Sequence, residues 1–269
     1  MVAEGTHIYT CGRDPCKGSG YSWSQNELDN ALASDVGQII RDNEGLQDCL
    51  DIFNDGTTTN FEMDRLRSIF SIDENLIKDW QVGEGIACAY LQSHRGCLMP
   101  WNTQRDLRTP KGSLPGVDIC GIRTYKGYDQ LFFCEVKTSS EKAYPPQVAS
   151  HNPCHGGLAA QVEDLRDNVV IRETVIRYLA YRAQRAPWGD RFRAAVCRYV
   201  SDNHDISIFG FMVRDVTPDE RDLKNRVSDV ASNTVGTRIE FLALYLPEGK
   251  IATLPSYFSS SQRNGRASC

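Results

Sequence analysis

Residues 113–142 constrain the fold more than any other stretch of the chain. They hold two apolar runs, Leu-Pro-Gly-Val-Asp118-Ile-Cys-Gly-Ile-Arg and Leu-Phe-Phe-Cys-Glu135-Val-Lys137, separated by a polar segment over 124–130. Apolar runs around a polar turn predict two β-strands joined as a hairpin. Side chains alternate along a strand, so Leu131, Phe133, Glu135 and Lys137 share one face and Phe132, Cys134 and Val136 the other. An acid and an amine therefore leave the end of an apolar strand together. Asp118, early on the neighbouring strand, lies within reach of both. Glu-x-Lys alone is a common solvent-facing pair. On a strand rich in Phe and Val, however, charged groups need a partner or a task, and Asp118 adds a second acid. Two acids beside a lysine suit a Mg²⁺ site with a water-orienting or water-activating group next to it.

The flanking sequence divides into an acidic front and a more basic middle. Over 25–53, Leu28, Leu32, Val36, Ile39, Ile40, Leu46, Leu50 and Phe53 recur at threes and fours, predicting amphipathic helix with a break near Gly45. The segment 55–60 reads as a loop that ends in a helix cap, and 61–70 as a short helix. Residues 1–72 are thus expected to form an N-terminal, mostly helical lobe, a cap or partner-docking surface, with 1–25 as a loose lead-in. The expected core is 73–255. It begins with a helix over 73–92 whose middle is weakened by Gly83 and Gly85. Glu84, between those glycines, is either an exposed helix acid or a carboxylate reaching the metal pocket. A short strand over 96–101 and a polar loop with Arg105, Arg108 and Lys111 follow, these cations being either solvated or aimed at phosphate.

The strongest helix pattern runs over 158–185, with Leu158, Val162, Leu165, Val169, Ile176 and Leu179 on one stripe. Its arginines are either a solvated surface paired with glutamates or a basic stripe for a phosphodiester backbone. The segregation of charge from the acidic front favours the stripe. Residues 205–213 and 238–246 predict two further strands, and the tail over 256–269 predicts disorder.

Composition excludes several classes. A content of 41% hydrophobic and 24% charged residues is that of a globular protein. No run of 18 apolar residues exists to span a membrane. The net charge of −5 gives no overall nucleic-acid signature, although local clustering is what matters. The first residues lack a basic segment leading into an apolar core. The ten cysteines are therefore expected to be reduced thiols in a cytoplasmic protein. Cys88, Cys120, Cys134 and Cys197 lie in apolar stretches and are expected in the core. Neither Cys11 with Cys16 nor His151, Cys154 and His155 have the second ligand pair that a structural zinc requires. No nucleophile turn, P-loop or dinucleotide fingerprint occurs.

The pattern Gly-Val-Asp118 … Phe-Cys-Glu135-Val-Lys137 resembles the PD-(D/E)xK nuclease superfamily, in which an acid, a gap and an acid-x-lysine triplet fall on consecutive strands. The likeness spans about 75–215, with Val117 where the name-giving pattern has proline. It implies an α/β, restriction-endonuclease-like core of order α-β-β-β-α-β, a mixed central sheet flanked by helices. It implies that Asp118 and Glu135, with the Val136 carbonyl, bind Mg²⁺ or Mn²⁺, and that Lys137 acts on water or on the phosphate. Glu84 matches a further acid on the preceding helix, and Gln161 a glutamine that some branches place on the following one. Lys111, Lys142, Arg166 and Arg172 are the expected DNA contacts. Size and layout are similar to Hachiman-type effector nucleases of bacterial anti-phage defence, which work with a partner helicase. The implied function is Mg²⁺-dependent nuclease cleavage of DNA, endo or exo, within such a complex. Two other classes stay open: a catalytically silent nucleic-acid-binding module that keeps the fold, and an interaction protein whose arginine-rich helix binds an acidic partner.

Overall fold

In chain order the computed structural model contains β1 (Thr6–Arg13), β2 (Cys16–Ser22), α1 (Gln25–Ala33), α2 (Asp35–Arg41), α3 (Asn43–Phe53), α4 (Asn60–Phe70), α5 (Asp79–His94), β3 (Cys97–Leu98), β4 (Ile119–Tyr125), β5 (Tyr128–Ser139), α6 (Leu158–Asp167), α7 (Val169–Ala183), α8 (Gly189–Ser201), β6 (Ile206–Arg214), α9 (Lys224–Ala231), β7 (Arg238–Tyr245) and α10 (Leu254–Gly265). The structure describes all residues except 54–55, 57–58, 72, 103–104, 106–115, 151–155, 233–235 and 266–269, and for 75 and 260–265 the backbone only.

All seven strands join one mixed sheet in the order β1-β2-β7-β6-β5-β4-β3. Strands β2, β7, β6 and β5 run parallel, while β1, β4 and β3 are antiparallel to their neighbours. β6 is buried at every position, as expected for a central parallel strand covered on both faces. One face packs Phe132, Phe211 and Leu242 against Leu28, Val36, Ile86 and Phe258 of α1, α2, α5 and α10. The other packs Phe133, Ile208 and Phe241 against Val162, Leu179, Phe192 and Val227 of α6 to α9. The molecule is thus α/β, a mixed seven-stranded sheet flanked by helices. Among the described residues no helix is long and apolar enough to cross a membrane.

The expected hairpin is β4 and β5, paired from Ile119↔Cys134 to Tyr125↔Tyr128. Its turn is only Lys126 and Gly127, both at positive φ (50° and 88°). That is the two-residue geometry whose twist matches the flanking strands.

Several expectations are corrected. Residues 1–72 are not a separate helical lobe. β1 and β2 extend the central sheet, and Leu28, Leu32, Val36 and Ile40 share a core with Ile86 of α5. β2 escapes a search for apolar periodicity because it is Cys-Lys-Gly-Ser-Gly-Tyr-Ser. A Cβ on Gly20 would collide with the Tyr9 ring, and one on Gly18 would lie 2.9 Å from Val227, so its neighbours supply the bulk that the strand lacks. The helix expected over 25–53 is three, breaking at Ser34 and at Asp42, which is left-handed at φ 46°. The helix expected over 158–185 is two. Asn168 ends α6 and caps α7, its side chain accepting from the Ile171 N–H at 3.3 Å. The tail expected to be disordered is helical through Gly265, anchored by fully buried Phe258 under the Arg41 guanidinium. Cys197 is exposed rather than in the core, and the described cysteines are all free thiols.

Candidate active site

The site is built where β4 stops pairing with β5. Ile119 faces Cys134, and one step further the antiparallel register sets Asp118 opposite Glu135. The Val136 N–H donates to Asp118 Oδ2 at 2.8 Å, fixing that carboxylate at the open strand end. The N–H and carbonyl of one strand residue point to the same edge, so the Val136 carbonyl is directed to the Asp118 side as well. Lys137 Nζ stands 3.6 Å from Glu135 Oε2. Glu135 is 5% exposed, so this carboxylate has little water to stabilise its charge.

Two glycines explain how Glu84 joins the group. A Cβ on Gly83 would collide with the Thr138 hydroxyl of β5, and one on Gly85 would lie 2.7 Å from Ile40 of α2. α5 can therefore press against β5 on one side and α2 on the other, with Glu84 between the two contacts. The glycines that weaken the helix are what allow its close approach. Burial, then the nearby Asp118 charge, push the Glu84 carboxyl up to about 8, with Lys137 opposing and Glu135 adding to the rise. Burial and Asp118 likewise hold Glu135 well above the usual carboxylate range, against the pull of Lys137.

Gln161 lies on α6, the helix packed over the face from which Glu135 and Lys137 project. Gly210 pairs with Glu135 on β6, and a Cβ there would crowd Phe241 and Val162, so α6 also approaches closely at this point. The Gln161 Oε1 and the Thr138 hydroxyl are buried with no hydrogen-bond partner. Each has an acceptor or donor that a water molecule or an ion could satisfy.

Glu84 and Asp118 open onto a cleft of about 870 Å³, also lined by Cys88, Trp101, Arg105 and Arg182. Its far wall, from α2 and α3, carries Asp35, Asp42, Glu44 and Asp48. Arg105 is engaged there by Asp42 through two hydrogen bonds of 2.6 and 2.7 Å. The Arg105 and Arg182 guanidiniums both lie against Trp101, 4.9 and 5.1 Å from its ring centre. Trp101 and Arg182 are 81 positions apart and carry no joint signal in the sequence, since only the fold brings them to the mouth of the Asp118 pocket.

The expected nucleic-acid contacts fare unevenly. Lys142 is exposed just beyond β5. Lys111, and likewise Arg108, His151, Cys154 and His155, lie outside the described residues. Arg166 and Arg172 are corrected, being 4% and 1% exposed. Arg166 pairs with Asp167 at 2.7 Å and donates to the Val230 carbonyl. Arg172 donates to the Leu165 and Arg166 carbonyls at the end of α6. Neither reaches a surface where a phosphate could bind.

Among the described residues, no three His, Cys, Asp or Glu side chains stand together as a metal-holding set. The donors that converge are two carboxylates, Asp118 and Glu135, beside the Val136 carbonyl, and their charges raise the nearby Glu84 carboxyl. No protein-family model matches the chain, and no curated protein matches it.

Proposed function

We propose that the protein is a metal-dependent nuclease that hydrolyses phosphodiester bonds in DNA on a restriction-endonuclease-like core. One observation carries the reading: Asp118 and Glu135 meet where β4 leaves β5, with Lys137 Nζ 3.6 Å from Glu135 and with Glu84 close enough for both acids to raise its carboxyl. Burial, and then the neighbouring Asp118, push the Glu84 and Glu135 carboxyls up, and a divalent cation would favour their ionised forms. Hard carboxylate oxygens in that setting suit Mg²⁺ or Mn²⁺. Asp118 and Glu135 would hold the ion, with the Val136 carbonyl and water completing its shell. When bound, such an ion supplies charge neutralisation and polarisation of a phosphoryl oxygen.

The chain's own residues supply the rest. The Val136 N–H keeps Asp118 turned inward. Lys137, held beside Glu135, donates to the attacking water or to a phosphate oxygen, and its positive charge opposes the charge that builds there. Gln161 has an unused acceptor on the same face, suited to orienting that water. The acidic wall of the cleft repels phosphate, and among the described residues Lys137 on β5 and exposed Lys142 just beyond it lie on the side away from that wall as cations for the scissile strand. The order α5, β3, β4, β5, α6 to α8, β6 supports the core assignment. The likeness to Hachiman-type effectors extends the reading to anti-phage defence in the cytoplasm beside a partner helicase.

Digestion of linear, circular and single-stranded DNA, with Mg²⁺ and with EDTA, tests the reading. Cleavage by the wild type should need the metal. It should fall at least about a hundredfold in Glu135→Ala and in Lys137→Ala while DNA binding persists. Full cleavage by either variant would remove the proposed site. Metal-independent binding without cleavage would mark a silent binding module.

A further inference from the structure

Helix α4 buries none of its eleven residues. An isolated helix of that length is marginal in water. Its local support includes the Thr59–Glu62 capping box, half-buried Met63 and Leu66, and the stack of Phe70 on Phe53, with ring centres 5.7 Å apart. Beside that stack Ile69 is 61% exposed and Ile52 76%, and Phe61, two turns away on α4, is 77% exposed. A ridge of large apolar side chains on so lightly anchored a hairpin is the kind of patch that marks an interaction surface.

Charge narrows the occupant. Residues 24–72 carry ten acidic and three basic side chains, a net of −7, against −5 for the whole chain. Glu44 and Asp48 of α3 and Asp64 of α4 are well exposed. Such a surface repels nucleic acid and anionic lipid alike. It complements a protein face that is apolar at its centre and basic at its rim.

We infer that the α3–α4 ridge, with Ile52, Phe61 and Ile69 as its apolar centre, is the docking site for a partner protein that presents an amphipathic, lysine- or arginine-rimmed helix. The surface is distinct from the carboxylate cluster, and its occupancy does not depend on the nuclease reading.

The test titrates the full chain with labelled helical peptides built from Leu and Lys in amphipathic order, from the same residues scrambled, and from Leu and Glu. The amphipathic Leu/Lys peptide should bind at least tenfold more tightly than either control. The double substitution Phe61→Asp with Ile69→Asp should weaken it by about tenfold or more, although the variant is more acidic. Circular dichroism should be unchanged, because both side chains are exposed. Binding that is absent, indifferent to peptide order, or stronger in the variant would overturn the inference. Concentration-dependent self-association of the wild type, lost in the variant, would assign the ridge to a second copy of the chain and overturn it as well. Loss of cleavage in the earlier assay leaves this outcome untouched.

Discussion

Glu135 is asked to carry a charge in a place that resists it. It is 5% exposed, faces Asp118, and has Lys137 as its ion-pair partner. Glu84 shares the strain, its carboxyl raised to about 8. The folded protein therefore holds protons that the unfolded chain releases at about 4.5. Stability should be greatest near the lower of these values and fall as pH rises through 8. In EDTA, thermal unfolding between pH 5 and pH 8 should show this decline, and Glu84→Gln should flatten it; an unchanged slope in that variant would show that Glu84 is not so perturbed. Adding Mn²⁺ should raise Tm more at pH 8 than at pH 5, since metal competes with the protons on these groups. The trio Asp118, Glu135 and Lys137 was legible from strand alternation alone, because a hairpin fixes which side chains share a face. Arg166 and Arg172 were not. Their spacing on a helix is the same whether they meet solvent or cap carbonyls inside the molecule, and only the packing of α6 against α7 and α9 decides between the two.

At the scale of elements, the α6–α7 junction replaces the single helix that periodicity predicts. Apolar residues continue in register through Asn168, so the break leaves no gap in the pattern. What holds it is the Asn168 cap on α7 and the Arg172 guanidinium on the last carbonyls of α6. Asn168→Ala should lower stability by about 1 kcal/mol. Arg172→Ala should lower it by about 2–4 kcal/mol, because buried acceptors lose a charged donor. Denaturant titration measures both, and DNA affinity should be the same in Arg172→Ala as in the wild type. A loss of affinity at full stability would return Arg172 to the nucleic-acid surface. Gly83 belongs to this scale too. Read in sequence it is a weak point in α5, but in the fold it is the contact that lets α5 meet Thr138 and carry Glu84 to the site.

Across the whole molecule, the ends of the chain complete the central structure. β1 and β2 widen the sheet on one side, and α10 closes the layer formed by α1, α2 and α5. Phe258→Ala should cost about 3–5 kcal/mol, since the ring is fully buried in that layer, and a change below about 1 kcal/mol would show that α10 is dispensable. Both ends hide from sequence reading for one reason: polar and small residues there pack against bulk contributed by distant segments. The layers they complete bring α5 and the β4–β5 hairpin together, where, on the proposed function, Asp118 and Glu135 jointly hold a divalent cation beside Lys137. Mn²⁺ binding followed by electron paramagnetic resonance at pH 8 tests it most directly. The expected result is a site in the wild type that is lost in Asp118→Asn and in Glu135→Gln, with both variants folded. Undiminished Mn²⁺ binding in either folded variant would contradict it.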